Sequence, residues 1–112
     1  MKVSFEGIGE LIATFYNNGA ANGNPVKMSK AGEVSPCNNS ERFIGIATAP
    51  GEEYTGVILG GCVTLTYTGT APALGYVKLS ANGSGGVKTD AGGTEYIVLG
   101  VDTADKTVCI IL

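Results

Sequence analysis

The 112-residue chain contains no histidine and no tryptophan, and only 15% of its residues are charged. Losing histidine removes the side chain most often used as a general base near neutral pH and as a metal ligand. A cysteine nucleophile would lack its activating base. Cys37, Cys62 and Cys109 are odd in number, far apart and without C-x-x-C spacing, so no zinc site is expected. Reduced thiols are the expectation, with a Cys62–Cys109 bridge left open. The seven basic residues are scattered and the net charge is −3, so the chain offers no basic stripe to nucleic acid. Its longest apolar run, "VILGGCV" at 57–63, is far too short to cross a bilayer. Glu6 and Glu10 break any signal-peptide core. No enzymatic activity, cofactor, metal, nucleic acid or membrane is expected.

The remaining polar clusters read as local structure. Glu52 and Glu53 are adjacent beside a turn, where side chains diverge, whereas paired-carboxylate chemistry needs both to face one substrate. Asp102 and Asp105 flank a turn, the place where Asp bonds to its own backbone, and two carboxylates fall short of a calcium shell. "GSGG" at 83–86 lacks the Lys-Ser/Thr of a phosphate loop and reads as a flexible hairpin. The five tyrosines are spread among strand positions and make no stacking platform.

What the chain does have is glycine, 18 residues of it, and period-2 alternation. "CVTLTYT" places Val63, Leu65 and Tyr67 on one face and Thr64, Thr66 and Thr68 on the other, the pattern of a half-buried strand. "KVSFE" alternates similarly at residues 2–6. "ELIATFY" at 10–16 is apolar on both faces and predicts a central strand, and further strands are expected in "RFIGIA", "TGVIL", "EYIVLGV" and "TVCIIL". Turns are expected at "KAGE", "SANGSGG" and "DAGG", a type II turn at Ala49-Pro50-Gly51, and a tight hairpin over 102–107. Apolar residues at helical spacing never persist beyond one turn. The expected fold is all-β: a compact small β-barrel or β-clip-like sandwich of about ten short strands, with little or no helix.

The chain also echoes itself. "PVKMS" at 25–29 and "YVKLS" at 76–80 lie 51 positions apart, and at that offset Tyr16 meets Tyr67, Val26 meets Val77 and Lys27 meets Lys78. Further on, Val34 matches Val87, Gly45 matches Gly100 within "IGI" and "LGV", and "VIL" at 57–59 matches "IIL" at 110–112. The shared positions are apolar strand residues and turn residues, with both lysines pointing outward. The echo is therefore read as scaffold: one domain, 1–112, of two degenerate units at 11–59 and 62–112, preceded by a short strand or arm at 2–6. The two units are expected to interleave their strands around a pseudo-two-fold axis, burying a core that about 50 residues alone would hardly supply.

The run "GNPVKMSKAGEVSPCNNSERFIGIATAPGEEYTGVILGG" at 23–61, with its "G-x-V" hairpin, "IGIA" and "VILGG", resembles the small head decoration, or capsid cement, proteins of tailed phages and prophages. That resemblance implies a β-rich protein on the outside of a phage head, made in the bacterial cytoplasm, often trimeric and bound to the major capsid protein. It also implies an N-terminal arm as contact, here Lys2, Val3 and Phe5. Low charge points the same way, because surfaces buried between proteins are depleted in charge. The competing reading is a small β-barrel module that binds a ligand or peptide in a pocket.

Overall fold

The computed structural model describes residues 10–112. The arm residues Lys2, Val3 and Phe5 lie outside the described residues. Among those described there is no helix; ten strands carry the whole architecture. In the first half β1 (Leu11–Asn17), β2 (Pro25–Lys30), β3 (Glu33–Pro36), β4 (Gly45–Thr48) and β5 (Tyr54–Gly60) close a barrel in the order β1-β3-β2-β4-β5. In the second half β6 (Cys62–Thr68), β7 (Gly75–Ala81), β8 (Val87–Thr89), β9 (Thr94–Asp102) and β10 (Thr107–Ile111) close another in the order β6-β8-β7-β9-β10.

The expected ten-strand all-β fold is therefore observed, but the halves do not interleave. Each strand pairing joins two strands of the same half. A single residue between β5 and β6, Gly61 at φ 101°, turns the chain from one barrel into the next. Each half then satisfies its own backbone by pairing its first strand with its last and, in parallel, with its third. Closure is narrow on one side: β1 meets β3 at Tyr16 and Asn17, and β6 meets β8 at Tyr67 and Thr68.

Strand register shows which residues correspond between the barrels. The pair Thr14↔Gly56 in the first barrel is matched by Thr64↔Cys109 in the second, and Asn17↔Val34 by Tyr67↔Val87. The offset is thus 50 for β1 to β6 and 53 for β3 to β8 and β5 to β10. The β2–β3 and β7–β8 hairpins correspond at 53 throughout: Met28↔Val34 matches Ala81↔Val87, and their turn glycines Gly32 and Gly85 have φ 74° and 89°. The sequence echo at 51 misses this in places. Tyr16 is 46% exposed while Tyr67 is 4% exposed, so the two tyrosines face opposite sides of their strands. Val26, wholly buried, corresponds to Leu79 rather than to half-buried Val77. Gly45 corresponds to Thr94 through its pairing with β2 and to Tyr96 through β5, in neither case to Gly100, which lies beyond a bulge that interrupts β9.

Local sequence explains most elements. β6 alternates as expected, with Val63, Leu65 and Tyr67 inside the barrel. β1 is not buried on both faces: Phe15 packs inward against the first core, while Leu11, Ile12 and Tyr16 are exposed. The 102–107 hairpin forms, with the Asp102 carboxylate accepting from the amides of Ala104 and Asp105 at 3.0 and 3.1 Å. At 49–51 the left-handed residue is Ala49, φ 47°, and not Gly51, so no type II turn forms there. Instead the Gly51 amide donates to Tyr54 O at 2.7 Å and opens β5.

Candidate interaction surface

Two cores organise the surface around them. Val26, Val34, Ala47 and Val57 fill the first barrel. The second barrel's core, with Leu65, Leu79, Val87, Val108 and Ile110, also takes in Cys37, Phe43 and Ile46 from the first half. The first barrel therefore contributes part of its outer wall to the second core. Phe43 stacks on Tyr96 with centroids 5.0 Å apart and planes 9° from parallel.

The loop at 37–44 forms the rest of this seam. The Ser40 amide donates to Ala81 O at 2.8 Å, and the Ala81 amide donates to Glu41 O at 2.9 Å. Lys88 Nζ donates to Ser40 Oγ at 2.7 Å. Ser40 is held at φ 68°, a left-handed conformation an L-residue rarely takes, by these contacts from the other barrel. Lys27 Nζ reaches both oxygens of Glu41, at 2.7 and 2.9 Å, and the Asn38 amide adds a third bond at 2.6 Å. The lysine first, and then the amide, hold the Glu41 carboxyl below its usual value. Burial, with Glu41 adding to it, pushes the Cys37 thiol up to about 11. Burial also raises the Tyr96 hydroxyl, against the opposing Arg42 charge. The "GSGG" segment belongs to the seam as well: a side chain at Gly83 would stand 3.0 Å from the Asn39 backbone nitrogen, and one at Gly85 3.1 Å from the Asn24 side chain. The sequence alone reads that segment as a free hairpin because it holds no side chain that announces a contact.

Away from the seam, apolar groups lie in the open. On the outer wall of β1 and β5, Ile12 pairs with Ile58, Thr14 with Gly56 and Tyr16 with Tyr54. The two tyrosines, 46% and 53% exposed, meet edge to face at 5.2 Å. Leu11 extends the strip. On the second barrel Leu74 and Tyr76 are 69% and 72% exposed. Beside them runs a groove of about 820 Å³ floored by Thr64, Thr107 and Cys109 and flanked by Leu74, Leu99 and Val101.

Among the described residues no three His, Cys, Asp or Glu side chains come together as a metal site would require. Glu52 and Glu53 stand exposed beside β5, and no buried side-chain polar atom among the described residues lacks a partner. No helix there is long and apolar enough to cross a membrane. Of the repeat residues, Val26, Gly45 and Tyr67 are buried, Val77 and Gly100 are half-buried, and Tyr16 is exposed. No known protein family, curated protein or solved structure matches the chain.

Proposed function

We propose that this protein is a non-enzymatic assembly component whose outer walls are covered by other proteins. Its reading as a capsid decoration protein of a tailed phage follows from the resemblance of its central run. The observation that carries the assembly reading is the strip Leu11, Ile12, Tyr16 and Tyr54, large and apolar on a chain with so few charges. Exposed patches of this kind, rich in tyrosine, fit protein interfaces better than bulk solvent. In this reading copies associate, as trimers by preference, and bind the major capsid protein on the head surface. Two closed barrels suit that task, because their outer walls present side chains to a partner.

Quantitative mass spectrometry of purified phage particles tests the reading. Copy numbers comparable to the shell protein support head decoration; a few copies move the protein to a vertex or tail, and absence overturns the virion role. Tyr16→Glu with Tyr54→Glu should abolish particle binding and self-association while leaving the melting temperature nearly unchanged, since both side chains are half in solvent already. The groove beside Leu74 favours the second reading, a ligand-binding module. Its volume falls within the usual range of small-molecule sites. Soaking with a fragment library followed by chemical-shift mapping separates the two: a hit confined to Leu99, Val101 and Leu74 supports the module.

A further inference from the structure

We infer that Cys62 and Cys109 form an oxidation site that staples the second barrel shut at the seam where its first and last strands meet. The two Sγ atoms lie 2.8 Å apart although the residues are 47 positions apart in sequence. They sit on the adjacent antiparallel strands β6 and β10, whose pairing completes the barrel, and on the same face of its wall, since Cys62 pairs with Ile111 and Cys109 with Thr64. The corresponding positions in the first barrel are Ile12 and Gly56, where a side chain at Gly56 would touch Ile12 Cγ2 at 3.3 Å. This diagonal is therefore a point of close approach built into both barrels, and only the second fills it with two sulfurs. Cys109 also lines the outer groove, and Cys62 is partly exposed, so a small reagent has a way in. Cys37 is in a different setting, buried at the seam between barrels with its thiol against Arg42 O.

The reaction uses a low-molecular-weight disulfide such as oxidised glutathione as oxidant. The Cys62 thiolate attacks one of its sulfurs and releases one glutathione thiol, leaving a mixed disulfide. The Cys109 thiolate then attacks Cys62 Sγ and expels the second glutathione. Two protein thiols are oxidised, one small disulfide is reduced, and both thiol protons pass to the departing glutathiones.

The test is to equilibrate the folded protein in graded ratios of reduced to oxidised glutathione, quench with acid, alkylate after unfolding, and map the peptides. The expected product is 2 Da lighter, carries a single alkylated cysteine, Cys37, and links the 62 and 109 peptides. Its melting temperature should rise by about 10 °C, as a cross-link closing a long loop does. Cys37→Ser should keep the shift. Cys62→Ser should lose it, and because that residue is partly exposed the variant should fold even if Cys109→Ser does not. Three alkylated cysteines under strongly oxidising buffer, a link that involves Cys37, or a 62–109 link without a rise in melting temperature would each overturn the inference.

Discussion

Lys27 donates to both oxygens of Glu41 within the first half, bracing the loop that forms the seam, whereas Lys78 stands on the outer wall of the second barrel opposite Glu95. Lys27→Ala should therefore lower the melting temperature measurably and Lys78→Ala hardly at all. Glu41 also sets a pH dependence. Its carboxyl titrates lower in the folded chain than its ordinary 4.5, so its stabilising contribution is complete above that pH and is lost as pH falls through the lowered value. Asp90, held below its ordinary 3.8 by the Gly92 amide and then by Ser80, acts with the same sign. Urea melts between neutral and strongly acid pH should show stability falling in acid, and Glu41→Gln should start less stable and decline less steeply. Gly45 is a matter of space. A β-carbon there would stand 2.3 Å from Ile58 O and 2.7 Å from Val57 Cγ1, so Gly45→Ala should cost about 1–3 kcal/mol in urea denaturation.

At the scale of strands, most elements are legible in the sequence because each strand carries its own signal. The β6 alternation, the Gly32 turn and the 102–107 hairpin follow from residue types that permit few alternatives. The correspondence of the halves was less legible. Identities such as Tyr16 with Tyr67 fall at an offset that shifts β1 against β6 by one residue, and one residue exchanges the two faces of a strand. Interior positions carry the true correspondence, Ala13 with Val63 and Phe15 with Leu65, but small and large apolar residues substitute freely there and leave no identity to find. The loop at 37–44 was illegible for a different reason: apart from the Lys88–Ser40 side-chain bond, Ser40 and Glu41 reach the second barrel through backbone groups, which any sequence possesses. Phe43 joins the two barrels through its ring. Phe43→Ala should remove about 3–5 kcal/mol and split one calorimetric transition into two, the second barrel melting first, because the lost ring belongs to its core.

For the whole molecule, the two barrels share a core yet no ladder, so they should unfold as one unit while the seam holds. Differential scanning calorimetry of the intact chain should give equal calorimetric and van't Hoff enthalpies, and two unequal peaks would show that the barrels are independent. The outer walls also bear on how the protein meets partners: through exposed side chains on strands such as β1 and β5. There is also a mechanical consequence. The chain begins and ends each barrel at the same point, Leu11 beside Gly60 and Cys62 beside Ile111. Tension pulled through the backbone therefore loads the closing ladder at one end and opens its bonds one after another, like a zipper, rather than shearing them all together. Barrels that are hard to open by heat should yield at low force, the first from residue 60 backward and the second from Ile111. A covalent link at the Cys62 end would carry that load past the second barrel, leaving the first to extend alone as the molecule's spring.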